Sequence, residues 1–375
     1  MGGLAATAGC IGLSRRFGLA AGAEQVSNLD SGQEPDRYDS LAKLSFNENP
    51  YGPSPIVLEA MSKAFKYANR YGYPDSGLVS ALAAHHGVSA NNILLGAGST
   101  EILEAAAGAF LDGHKKVVGV EPTFSTVYEF ATGLKAGSIM LPLLPNHQQD
   151  IAAMIKAAKQ NNREVGFVYL CNPNNPTGVF VSRNSVRQLL EGIPENIPVL
   201  IDEAYHHFVE HPDYASSVPY VLEGRPVVIA RTFSKIAALA GMRLGYAVAP
   251  SSLIQQMRPH LGTMHINVLA KFAGRAALKD AEGQNRVKST TLELRKKTAA
   301  ELTRLGFEVL PSEANFIMVN IRRSVIPIIQ SFRQKGILVG RPFPPMLEYL
   351  RVSIGTADEM QRFMSALKSI FQVGN

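Results

Sequence analysis

"VGFVYLCNPNNPTG" (residues 165–178) and "IPVLIDEAYHHFVE" (197–210) decide the fold, because each is a nearly continuous apolar run that stops abruptly at polar residues. A strand whose two faces are both apolar is covered on both faces, which happens in a mainly parallel sheet sandwiched between helices. Working outward, "NNILLGAGSTEILEAAAGAFL" (91–111) reads as strand, glycine turn and helix. "KKVVGVEPTFSTVYEFATGL" (115–134) and "GSIMLPLLPNHQQDIAAMIKAAKQ" (137–160) repeat the scheme. "RPVVIARTFSKIAALAGMRLGYAVA" (225–249) reads as two strands joined by a turn. From about residue 270 a long helical stretch (269–306) is followed by the strands "FEVLPSEANFIMVNI", "GILVGRP" and "YLRVSIG". The expected class is α/β: a mainly parallel central sheet in a large domain, residues 55–270, with a smaller α+β domain from residues 38–54 and 271–375.

With 375 residues, 46% of them hydrophobic, the chain can bury a large core. Its net charge of +6 comes from scattered Lys and Arg rather than a basic stripe interleaved with aromatics. That predicts a mild bias towards small anions and no nucleic acid. Cys10 and Cys171 are far apart, and neither His85-His86 nor His206-His207 has zinc-ligand spacing, so no disulfide framework and no metal site is expected. "MGGLAATAGCIGL" (1–13) is too short to span a bilayer, and "SRRFGLAAG" follows it. Residues 1–37 read equally as the remnant of an export signal or as an arm; the expected compartment is the cytoplasm, with periplasmic export as the alternative.

In an open α/β sheet a ligand sits at the carboxyl ends of the strands, where the unusual polar residues of this chain fall. Gly96, Gly98, Ser99 and Thr100 lie between a strand and a helix, where free backbone N–H groups favour phosphate; a plain glycine turn is the alternative. In "CNPNNPTG" (171–178) prolines stiffen a loop whose asparagines can address a planar polar ligand. Asp202 closes an apolar strand and must be paired or lose its charge, and one ring nitrogen would satisfy it. Lys235 sits among small and apolar residues, where a depressed pKa would make it a nucleophile towards aldehydes; alone it would read as a snorkelling lysine.

Phosphate donors, an acid for a ring nitrogen, a tyrosine, an asparagine and a reactive lysine together make the inventory that pyridoxal 5'-phosphate requires. The order and spacing of these motifs resemble the aspartate-aminotransferase fold family, most closely its histidinol-phosphate-aminotransferase branch, over residues 38–370. The resemblance implies fold type I and a homodimer. It implies that Lys235 of "TFSK" bonds the cofactor aldehyde and shuttles the proton, and that Asp202 of "DEAY" keeps the ring nitrogen protonated. Tyr205 and Asn175 would reach the ring oxygen, and Phe124 of "EPTF" would stack on the ring. Ser99, Thr100, Ser234 and Arg243 would hold the phosphate, with Tyr73 of "YPD" reaching it from the neighbouring subunit. Arg351 of "YLRVSIGT" would grip the substrate carboxylate, and Asn49 and Tyr51 of "SFNENPYGPSP" would border the substrate.

The resemblance implies transamination between an amino acid or amino-alcohol phosphate and a 2-oxo acid; decarboxylases share the fold, and a non-catalytic cofactor-binding regulator is a more distant alternative. One motif departs from the branch, which commonly carries an arginine directly after the "ILV" strand. Here Gly340 stands there and Arg341, carried as a candidate substrate residue, comes one position later. A one-residue slip on a strand reverses the side-chain face, which leaves the amino donor open.

Overall fold

The computed structural model describes residues 38–111, 115–263 and 266–374, so the readings made of residues 1–37 lie outside the described residues. The strands are β1 (Ala42–Leu44), β2 (Ile93–Gly96), β3 (Lys116–Glu121), β4 (Gly137–Pro142), β5 (Val165–Cys171) and β6 (Val199–Asp202). After them come β7 (Val227–Thr232), β8 (Gly245–Val248), β9 (Glu308–Val309), β10 (Phe316–Asn320), β11 (Ile337–Val339) and β12 (Tyr349–Ser353).

Seven strands form one sheet in the order β2-β8-β7-β6-β5-β3-β4. Only β8 runs antiparallel to its neighbours. The apolar runs divide between two cores as the period of two requires. Val227 and Ile229 of β7 join Val168, Leu170 and Ile201 on one face. Val228 and Ala230 join Phe167, Tyr169 and Leu200 on the other. A fully buried Val, Leu or Ile contributes roughly 1.5–3 kcal/mol, so this double cover is what fixes the sheet.

A third core gathers Ala42, Leu44, Ile317, Val319, Val339, Val352 and Phe363 around a smaller unit. There β12-β10-β9 form an antiparallel sheet, and β1 pairs in parallel with β11, Leu44 opposite Val339. The N-terminal strap is thus tied to the C-terminal part of the chain. The change in sequence character near residue 270 falls before the change in packing. The helix Val268–Ala277 buries Ala270 and Ala273 in the large core, and the crossover runs along the 24-residue helix Ala281–Arg304. That helix places Leu292 in the large core and Leu302 in the small one. Among the described residues no helix is long and apolar enough to cross a membrane.

Candidate active site

The carboxyl ends of β5, β6 and β7 open into a cavity of about 540 Å³ between the large sheet and the smaller unit. It is lined by Ser99, Thr100, Phe124, Asn175, Asp202, Tyr205, Ser234, Lys235, Arg243, Arg341 and Arg351, so the fold brings together eleven residues far apart in sequence.

Lys235 follows β7 and points its amine at the strap, donating to the Phe46 carbonyl at 2.9 Å. Burial lowers its pKa to about 8, and the nearby Arg351 and Arg243 charges push the same way. Asp202 ends β6 with only 3% of its surface exposed. Burial raises its pKa to about 6, against the stabilising Ala204 N–H at 3.0 Å and the Tyr169 hydroxyl at 3.4 Å. It is a buried carboxyl served by two neutral donors, and a basic ring nitrogen is the partner its environment lacks. Beneath it Glu203 forms a buried ion pair with Arg231, Oε2 to Nη2 2.7 Å, and also accepts from the Ser217 N–H at 2.6 Å.

The helix Ser99–Phe110 begins with Gly98 at its N-cap and no side-chain cap, which leaves its first N–H groups free. Arg243 packs on this turn so closely that a Cβ at Gly98 would lie 2.2 Å from its Nη2. Among the described residues the Arg243 guanidinium donates to carbonyls, Ala240 at 3.0 Å and Ala97 at 3.4 Å. A helix N-terminus, a guanidinium that meets no carboxylate among the described residues and the cavity-lining Ser234 and Thr100 make a cluster of donors with the chemistry to cradle a phosphate.

Across the cavity Arg351, on β12, donates to Asn175 Oδ1 and to the Ser45 carbonyl, both at 2.6 Å. Among the described residues its Nε is buried without a partner, so the guanidinium keeps a donor to spare. Burial lowers its pKa to about 10, with the charge of Arg341 adding to the effect. Arg341, the candidate substrate residue one position past Gly340, faces the cavity. β11 ends at Val339 and the chain then leaves the strand, so period-two alternation no longer applies and Arg341 lines the cavity. Arg341 and Arg351 lie 4.5 and 4.6 Å from the centre of one ring, Phe343. A side chain at 340 would collide with Arg351, whose Cβ would be 2.9 Å and carbonyl oxygen 2.8 Å away, which is why glycine stands there.

Two of the expected residues, Asn49 and Tyr51, do not line this cavity. Asn49 donates to the Ile236 carbonyl at 2.9 Å and, with Tyr51, lines a neighbouring cavity of about 290 Å³ behind the strap. The chain turns away after Asn47, whose φ is 54°, and that turn carries both side chains off the substrate side. Tyr73, expected to serve the neighbouring subunit's site rather than this one, packs on Tyr67 and Phe272 at ring distances of 4.3 and 5.8 Å. Conversely, the sequence reading missed Asn47, Tyr169 and Phe343. Asn47 stood in the quoted strap motif; Tyr169 looked like any strand aromatic.

These groups fit pyridoxal 5'-phosphate: a basic ring nitrogen would answer buried Asp202, a phosphate would answer the Ser99–Arg243 cradle, and the Lys235 amine faces the space between. A family profile for aminotransferase class I and II matches residues 39–367. A histidinol-phosphate aminotransferase from Moorella thermoacetica is 37% identical over 336 residues, 88% of this chain and 85% of that protein. Its namesake from Carboxydothermus hydrogenoformans, numbered 2, is 34% identical over 89% of this chain and 92% of its own length. The solved histidinol-phosphate aminotransferase of Sinorhizobium meliloti, in complex with pyridoxal 5'-phosphate, superimposes with a TM-score of 0.82 at 26% identity, covering 88% of this chain and 90% of that one.

Proposed function

This chain belongs to the aminotransferase class I and II family, and from that premise we propose that it moves an amino group from an amino-alcohol phosphate of the histidinol phosphate kind to a 2-oxo acid such as 2-oxoglutarate. The observation that carries this reading is the pair of guanidiniums, Arg341 and Arg351, gathered within 4.6 Å of the centre of one ring, Phe343. A phosphate on the donor and a second carboxylate on the acceptor put the same demand on that pair, an anion held by planar forks in a poorly solvated place.

When bound, pyridoxal 5'-phosphate supplies an electron sink beside the substrate carbon that loses its proton. Lys235, with a pKa near 8, keeps a useful fraction of neutral amine at neutral pH, and it takes the proton and returns it. Asp202 holds a proton at the ring nitrogen. Asn175 and Tyr205 address the ring oxygen, and Phe124 covers a ring face. Ser99, Thr100, Ser234 and Arg243 would hold its phosphate, in the same cavity that Lys235 lines.

The same reading includes a homodimer. Tyr71, 91% exposed, and Phe65, 62% exposed, flank the Tyr67–Tyr73–Phe272 cluster, an apolar surface suited to a second copy whose cradle Tyr73 would reach. Mixing inactive Lys235→Ala with Tyr73→Phe tests the sharing, since heterodimers would regain one intact site.

Loaded protein incubated with 2-oxoglutarate and a series of donors tests the reaction. Histidinol phosphate should outrun histidinol by about 100-fold or more in kcat/KM, the worth of a desolvated charge contact. Equal rates on the two donors would remove the phosphate assignment. Release of carbon dioxide without consumption of the 2-oxo acid would make the protein a decarboxylase instead.

A further inference from the structure

Tyr205 receives two hydrogen bonds on its phenol oxygen, from Asn47 Nδ2 at 3.0 Å and from Asn175 Nδ2 at 3.4 Å. Each amide is oriented from behind by a residue of β12. Ser353 Oγ accepts from the Asn47 backbone N–H at 2.8 Å and must therefore send its own proton to Asn47 Oδ1, 2.9 Å away. Arg351, which can only donate, occupies Asn175 Oδ1. Both NH2 groups are thereby turned to Tyr205. The strap end of the relay is fixed again by Asn315, which donates to the Asn47 carbonyl at 3.0 Å. Asn47, Ser353, Asn315 and Tyr205 are each 4% exposed or less, so no bulk water competes for these bonds.

A phenol whose oxygen is filled by two donors has one remaining role, to donate its proton. We propose that Asn47 is a positioning residue: held by Ser353, it saturates the Tyr205 oxygen and turns the phenol proton into the cavity, where the ring oxygen of the cofactor accepts it. The smaller unit thereby sets the hydrogen-bond polarity of a large-unit side chain, and the strap is part of the cofactor machinery rather than only a cover. This inference rests on the reading of Tyr205 as a cofactor contact.

Asn47 has a left-handed φ of 54°, which offers a competing and purely conformational reason for its presence. Asn47→Gly separates the two, because glycine adopts that φ freely and deletes only the amide. If Asn47 orients Tyr205, Asn47→Gly apoprotein should bind pyridoxal 5'-phosphate roughly 2- to 12-fold more weakly, the worth of one hydrogen bond. The pH midpoint of the bound cofactor's visible band should rise by up to about one unit, because an anionic ring oxygen loses a donor. In a Tyr205→Phe background the same substitution should change affinity less than about 2-fold, since there is no hydroxyl left to orient.

Wild-type affinity and band position in Asn47→Gly, or an equal loss with and without the Tyr205 hydroxyl, would overturn the proposal. Ser353→Ala, which frees the Asn47 amide to flip, repeats the test with the strap untouched should Asn47→Gly melt early. Failure of the wild-type apoprotein to bind the cofactor at all would instead overturn the cofactor reading beneath it.

Discussion

The two walls of the cavity are built differently. On the sheet side Asn175, Asp202 and Tyr205 stand at or just beyond strands whose neighbours are in strict register, Cys171 opposite Asp202 and Asp202 opposite Ala230. The backbone that carries each side chain is set by its own strand and the next. On the strap side Arg351 is held by Ser45, 306 residues away, and by Asn175, 176 residues away, in the other unit. The proposed chemistry thus sits on the sheet, and the proposed anion recognition on a side chain that bonds to both units. Residues of the first wall should govern turnover; on the second, Arg341 should govern selectivity, and Arg351, bonded to Asn175, should affect every substrate.

Lys235→Ala attacks the sheet wall directly and should lower turnover by about 10³-fold or more, since it removes both the amine nucleophile and the proton carrier. A steady-state transamination assay retaining a tenth of the wild-type rate would break the division between walls. Arg231→Met tests the support of that wall. Arg231 and Glu203 are 6% and 1% exposed, so losing the cation strands a buried carboxylate, and denaturant unfolding should register a loss of about 3–5 kcal/mol. Unchanged stability would mean that the sheet end does not depend on the pair.

The same difference governs what could be read from the sequence. The sheet wall was legible because strand ends and turns are local: "NPTG", "DEAY" and "TFSK" each place a side chain within a few residues of an apolar run, and the cavity gathers all of them. The strap wall was legible only where a motif happened to mark it, as at Arg351. Asn47 sits two positions from Asn49, and nothing local says which of the two turns inward; a left-handed φ and a serine at position 353 decide it. The one-residue slip at Gly340 left the amino donor open because period-two alternation holds only on a strand; β11 has ended there, and the chain is held by the backbone bond from the Gly340 N–H to the Arg351 carbonyl at 2.9 Å. Tyr169 was hidden for another reason: its ring belongs to the core, and only its hydroxyl belongs to the site.

On the strap wall Arg351→Lys should cost about 10- to 100-fold in kcat/KM for every substrate, because a single ammonium cannot replace a fork that already holds Asn175 and Ser45. The loss should be nearly independent of the donor, since this arginine also orients the Asn175 amide on the sheet side. A loss confined to one substrate would show the two walls to be uncoupled.

Arg341→Gln is the gentlest and the most selective change. Arg341 meets a carbonyl of its own loop, Pro342 at 3.0 Å, and a ring face, and supports neither Asn175 nor the strap. Its removal therefore leaves the reacting centre in place, and kcat should stay within about 2-fold. Burial already disfavours its charge, so an incoming anion gains both the contact and relief of that penalty. KM should accordingly rise about 10-fold for a phosphorylated donor and hardly at all for one lacking a distal anion. A rise shared by both donors would make Arg341 part of the general scaffold, and Arg351 alone would then carry anion recognition.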